Sequence, residues 1–166
     1  MSALVRLCDV VEKSIKVIMA ALIAGMVVLI AAQVGFRYVL NEPLAWTEEV
    51  ARHLMIWAGL LGAAVAYRHK GHLGMDILVM HLSKPWRRGV EMIVQALSIG
   101  FFGILVIHGI PLVERTMRQF SSAIRIPMGY IYASIPVGSA LILLFAMEGI
   151  VRVWSDQEDS ADATSA

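Results

Sequence analysis

Four stretches of this chain, residues 17–36, 54–67, 92–113 and 126–147, contain no Asp, Glu, Lys or Arg. An α-helix rises ~1.5 Å per residue, so ~20 apolar residues cross a hydrocarbon core of ~30 Å. The first, third and fourth stretches are long enough unaided. The second is short, but residues 45–53 ahead of it read as polar opening turns of the same helix. The expected fold is therefore an all-α integral membrane protein with four transmembrane helices. Hydrophobic residues make up 58% of the chain and the mean hydropathy is +0.72, which leaves no room for a soluble domain in the remaining loops. One four-helix membrane domain over residues 1–154 is expected. The acidic, Ser/Ala-rich tail 155–166 is expected to be disordered and cytoplasmic.

Charge sets the expected orientation, because Lys and Arg gather on the cytoplasmic side. Nine of the 14 basic residues, Arg6, Lys13, Lys16, Arg68, Lys70, Lys84, Arg87, Arg88 and Arg152, fall on the side that carries both termini. Arg37, Arg52, Arg115, Arg118 and Arg125 fall on the other. Both termini are thus expected in the cytoplasm. The first stretch is about twice the ~7–15 residue core of a signal peptide and is expected to stay as the first span. A net charge of +1 and the absence of a basic arm give no reason to expect nucleic acid. The lone Cys8 excludes an internal disulfide and a cysteine-rich metal site.

Residues 2–16 read as an amphipathic lead-in, an interfacial extension of the first helix, with a docking helix for a soluble partner as the alternative. Leu4, Leu7, Cys8, Val11 and Ile15 recur at helical spacing, and Arg6, Asp9, Glu12, Lys13 and Lys16 fill the other faces. Small residues three apart in the intervening count, at Ala20/Ala24, Ala21/Gly25 and Ala31/Gly35, and again at Ala58/Gly62, Gly59/Ala63 and Gly62/Ala66, allow close helix approach. Before the second span, Asn41 and Pro43 form a helix start, and Trp46 belongs at headgroup depth. Glu48 with Arg52, and Glu49 with His53, are four-residue steps that share a helix face. Any membrane helix entrance could use the same features. Between the second and third spans, residues 77–82 are apolar but too short to cross. They are expected to form an interfacial arm along the surface, with Trp86 as anchor. Pro111 is expected to end or kink the third span, and Pro136 to kink the fourth.

The spans hold no charge at mid-depth, where one costs at least ~2.5–3.5 kcal/mol and is seldom kept without use. Gln33, Gln95, Ser98, His108, Ser134 and Ser139 are their scattered polar residues, which is a poor basis for a cargo site. No nucleophile–base pair, phosphate loop or paired catalytic carboxylates are visible, so neither an enzyme nor a cofactor is expected. His53 and His108 keep open a haem or quinone anchor subunit of a redox complex, and a small homodimeric exporter is a further alternative.

The order of motifs carries a resemblance. Phe36-Arg37, then Pro43-Leu-Ala-Trp46-Thr-Glu48-Glu49, then Trp57-Ala-Gly59-Leu-Leu-Gly62-Ala-Ala, then Arg68, His72 and Asp76 lead through the second span. Ser121-Ser122-Ala-Ile-Arg-Ile-Pro127 and Ile135-Pro136-Val-Gly138 follow. Over about residues 17–151 the chain resembles the small membrane subunit, DctQ-like, of tripartite ATP-independent periplasmic (TRAP) transporters. Phe36 and Arg37 are contiguous, which fits that family's first motif loosely. The resemblance implies a non-catalytic subunit of the bacterial inner membrane, partnered by a large permease subunit and a periplasmic substrate-binding protein. Uptake of an organic acid would be driven by a sodium gradient. It also implies structural or subunit-contact roles for Arg37, Trp46, Glu48, Glu49, Arg52, Trp57, Gly59, Gly62, His72, Asp76, Pro127, Pro136 and Gly138, with Arg37 and Trp46–Arg52 as an outer-side cluster.

Overall fold

Long apolar segments in a membrane must satisfy their backbone internally, which leaves the helix as the local solution. The computed structural model of this protein describes the backbone of residues 3–40, 44–79 and 84–162, and the side chains of 4–39, 44, 46–69 and 92–151. Helix α1 spans Ala3–Gly35 and passes into a π-helical turn, Phe36–Leu40. Helix α2 spans Ala45–Val79, α3 Lys84–Thr116, the short α4 Gly129–Tyr132, and α5 Ser134–Asp162. Four segments are long and apolar enough to cross a membrane: Leu4–Val39, Trp46–His69, Met92–Thr116 and Gly129–Val151. They coincide with the four spans read from the sequence. The protein is an all-α, multi-pass membrane protein.

Helices α2 and α5 are central. Helix α1 packs on α2, α2 on α5, and α5 on α3, so α1 and α3 form the two flanks. The core lies between α1, α2 and α5, where Cys8, Ile15, Leu61, Ala64, Ile142 and Phe145 are buried together. Small residues permit two of these approaches. A Cβ on Gly138 would sit 3.1 Å from the Leu60 Cβ, and one on Gly62 would sit 3.2 Å from the Met19 Cε. Gly59 differs, since a Cβ there would meet nothing within 4 Å. The flanks stay apolar and exposed, through Val17, Val27 and Val28 on α1 and Leu97, Phe101 and Ile107 on α3.

Several local expectations are corrected. The lead-in extends the first helix, as read from its spacing, but Leu7, expected on its apolar face, is exposed while Glu12, expected on a polar face, is buried. Pro111 does not end the third span, for α3 continues to Thr116. Proline removes one backbone donor, a loss of ~3 kcal/mol in a lone helix. Here α3 is held on either side of it, by α5 and by α4. Gly109, two residues earlier, admits the Pro136 ring to 3.1 Å from where its Cβ would be. In the fourth span the interruption falls at Ala133, not at Pro136. Pro136 cannot donate to the Tyr132 carbonyl, so the helix stops at Tyr132 and resumes with Val137 N–H donating to Ala133 O at 3.2 Å. Pro136 is then in the first turn of α5, where its missing N–H does least harm. The apolar segment 77–82 begins as the end of α2, which runs unbroken from Ala45 to Val79, and residues 80–82 lie outside the described residues. Helix α5 likewise runs past Trp154 to Asp162, and residues 163–166 lie outside the described residues.

Candidate functional site

One guanidinium ties three helices together. Arg68 ends the apolar part of α2, and its side chain is only 9% exposed. Arginine has five N–H donors in a rigid fork and no acceptor, so burial is tolerable only where acceptors surround it. Glu148 on α5, 2% exposed at its side chain, takes two of them, from Nε at 2.8 Å and from Nη2 at 2.7 Å. On α1, Asp9 accepts from Nη2 at 2.6 Å, the Cys8 carbonyl from Nη1 at 3.3 Å, and Glu12 from Nη1. Every donor of the fork therefore has an acceptor. Phe145 supplies a ring face 5.4 Å from the guanidinium carbon, a cation–π contact. Glu12 is also held by Lys16 one turn on and by His69 Nε2 at 2.8 Å. The hub thus sets three carboxylates against Arg68, Lys16 and the His69 ring.

The depth of the hub follows from helix geometry. From Trp46 to Arg68, α2 is ~33 Å long at ~1.5 Å per residue, about one hydrocarbon thickness. Arg68 and its partners therefore lie at one end of the apolar segment Trp46–His69, and the middle of the bundle stays apolar. Just above the hub, Tyr67 OH donates to Gln95 Oε1 at 3.2 Å, and Gln95 Nε2 donates to Ala146 O at 2.8 Å. Gln95 thereby joins α3 to α2 and α5.

The opposite end of α2 is fastened to the loop between α3 and α4. Thr47, almost fully buried, donates to Leu44 O at 2.7 Å and closes the first turn. Glu48 and Arg52 pair at 3.2 Å on an exposed face. Glu49 turns inward, where its Oε2 accepts from the Ala123 N–H at 2.7 Å, and His53 lies 4.0 Å from its other oxygen. The loop is a narrow hairpin with Ser121 N–H donating to Ile126 O and Met128 N–H to Gln119 O. Arg125 in it has φ 52°, the left-handed region. Glu48, Glu49, Arg52, His53 and Ile56 of α2 and residues 119–123 of the loop line an open groove of about 600 Å³. Deeper in α2, Trp57 Nε1 donates to Tyr130 O at 3.2 Å.

The sequence-derived cluster is thus partly assembled. Glu48, Glu49, Arg52 and Trp46 share the N-terminal end of α2, and Pro127 pairs with Phe120 in the facing loop. Arg37 lies exposed in the π-helical turn and, among the described residues, pairs with neither Glu48 nor Glu49. His72 and Asp76 lie on α2 beyond Arg68, and their side chains lie outside the described residues. His53 faces Glu49, while His108 Nδ1–H donates to Ile104 O at 3.1 Å on its own helix. Sequence reasoning passed over Asp9, Glu12 and Glu148 as partners of Arg68. A signal was available: Glu148 directly follows the fourth charge-free stretch, on the same side as Arg68.

Fold and site together define a multi-pass helical membrane protein, apolar through its middle and locked by charge at one end. The chain belongs to the DctQ-component family of tripartite ATP-independent periplasmic transporters, whose pattern it matches over residues 26–156. That span holds Glu49, Arg68 and Glu148, whereas Asp9 and Glu12 precede it. The sialic acid TRAP transporter small permease protein SiaQ of Vibrio cholerae serotype O1 is 23% identical over 83% of this chain and 80% of that protein. The C4-dicarboxylate TRAP transporter small permease protein DctQ of Rhodobacter capsulatus is 31% identical over 60% of this chain and 44% of that protein. The isethionate TRAP transporter permease protein DctMQ of Oleidesulfovibrio alaskensis is 29% identical over 80% of this chain but only 23% of its own length. In that protein the region similar to this chain is a minor part of a longer permease polypeptide.

Proposed function

We infer that this chain is the small, non-catalytic membrane subunit of a TRAP transporter, a single four-helix domain in the bacterial inner membrane. It packs on a large permease subunit, which carries the solute by using a sodium gradient, and a periplasmic binding protein delivers that solute. The observation that carries this reading is the family match, which reaches from the first crossing helix through the last. Support for the large partner comes from DctMQ, where a similar region continues into a much longer permease. The exposed apolar flanks of α1 and α3 offer area for such a neighbour. The solute in this reading is an organic acid bearing a carboxylate, as named for two of the relatives, whereas DctMQ is named for a sulfonate.

Purification of the tagged chain from native membranes in mild detergent is expected to bring down a larger multi-span permease at fixed ratio. Elution of the chain alone, with solute uptake unchanged by its deletion, would overturn the assignment. Both termini face the cytoplasm in this reading, on the charge asymmetry of the loops. A reporter active only in the periplasm is expected to stay silent when fused at the C-terminus and to give signal when inserted after Ser122. The reverse pattern would invert the topology.

A further inference from the structure

The contact between Glu49 and the facing loop has the form of a bound ligand in a receptor. The Ala123 N–H donates to Glu49 Oε2 at 2.7 Å, and the Ile124 N–H is the next one along the same turn. Ser121 Oγ is buried beside it, facing the carboxylate without a hydrogen bond of standard geometry. Successive backbone N–H groups in a tight turn form a concavity suited to an anion. The turn is built into the loop backbone, by the Ser121–Ile126 and Met128–Gln119 bonds and by the left-handed Arg125, without help from α2. The carboxylate comes from a residue 74 positions away in sequence, on a different element. Its own charged neighbour, Glu48, is occupied by Arg52. His53 lies on the far oxygen and adds no negative charge.

We propose that residues 121–124 form a carboxylate-binding site whose resident ligand is the Glu49 side chain, and that a small free monocarboxylate occupies the site when that side chain is removed. The site fastens the loop to α2 and is separate from any path taken by transported solute. Alanine at position 49 deletes a CH₂–COO⁻ unit, so the space left matches acetate or formate, with the donors still in place. Glutamine instead fills the space with a neutral amide and leaves no room for a second molecule.

The test is hydrogen–deuterium exchange of residues 119–128 in the intact protein in nanodiscs. Glu49→Ala is expected to raise exchange at Ala123 and Ile124 about tenfold. Adding ~100 mM sodium formate or acetate is expected to reverse most of that rise, with sodium chloride at equal ionic strength as the control. The native protein and Glu49→Gln are expected not to respond to formate, since their sites are filled. Formate acting no better than chloride on Glu49→Ala, or acting equally on the native protein, would overturn the proposal. Should Glu49→Ala give no folded protein, formate present throughout purification is expected to restore the yield. Equal failure in formate and in chloride would count as refutation.

Discussion

Replacing Arg68 with alanine is expected to be the most damaging single change in the described part of this protein. The substitution takes from the buried Glu148 its two bonds to the guanidinium and from Glu12 one of its cationic partners, and it removes a group that joins α1, α2 and α5. Breaking a buried ion pair from one side costs ~3–5 kcal/mol, mainly from stranding the remaining charge. The expected result is loss of the folded protein or a steep fall in melting temperature in detergent. Arg68→Lys is expected to fall between, because an ammonium cannot serve Glu148 through two parallel N–H bonds while reaching Asp9 and Cys8. Removing the partner with the charge, as Arg68→Met with Glu148→Gln, is expected to cost less than Arg68→Ala alone, for then the buried Glu148 carboxylate that loses two bonds is gone as well. Equal melting of Arg68→Ala and the native protein would dismiss the hub as a stabilising feature. The comparison with the double variant separates a charge effect from lost packing against Phe145.

The second large effect is expected at Gly129. A Cβ there would lie 2.7 Å from the Met117 Sδ and 2.9 Å from the Val113 carbonyl oxygen. The thioether can move aside, but the carbonyl belongs to the α3 backbone. It already accepts from Met117 N–H at 3.0 Å, so it is not free to yield. Overpacking of this kind costs ~1–3 kcal/mol. Gly129→Ala is expected to lower the melting temperature and Gly129→Val to lower it further, as α4 is pushed off the end of α3. Gly59→Ala is the matched control. A Cβ at that position meets nothing within 4 Å, so the isolated protein should melt unchanged. A Gly129→Val protein as stable as the native one would contradict the close packing of α4 against α3.

Both changes touch features that differ in how far they could be read from the chain. Glycine at 129 lies inside a charge-free stretch and carries no sign, in sequence, of what it approaches. Arg68 was legible as a basic residue on the side rich in Lys and Arg, which is a statement about topology. Which carboxylates would meet it was legible only as far as Glu148 ending the fourth charge-free stretch on the same side, because Glu148 is 80 positions away and Asp9 59. The pairs within one helix were recovered as expected, Glu48 with Arg52 and Glu49 with His53, since a four-residue step fixes the face whatever the fold. The further bond of Glu49 was not, for the acceptor's partner is a backbone N–H, which every residue type carries. Prolines gave a similar lesson. Pro136 was correctly suspected of disturbing the fourth span, but a missing N–H is felt four residues earlier, at Tyr132, and the helix divides at Ala133. Pro111 had the same local chemistry and no break, because α5 and α4 hold α3 on either side of it.

Taken by itself, the sequence determined the helical class, the number of crossings and, except at the start of the first, their boundaries to within a few residues. The reason is that the bilayer tests each segment alone: ~20 apolar residues either meet the hydrocarbon thickness or do not, and the backbone must bond within the segment. Only the tertiary structure decided that α2 and α5 are central with α1 and α3 outside, that Gly62 and Gly138 serve internal contacts while Gly59 faces outward, and which carboxylates surround Arg68. Those outcomes depend on which faces meet. In a chain whose apolar residues cover nearly every face of every span, hydrophobicity does not choose among them. The choice falls to small residues and to the few charges, whose partners become neighbours only once the helices have packed.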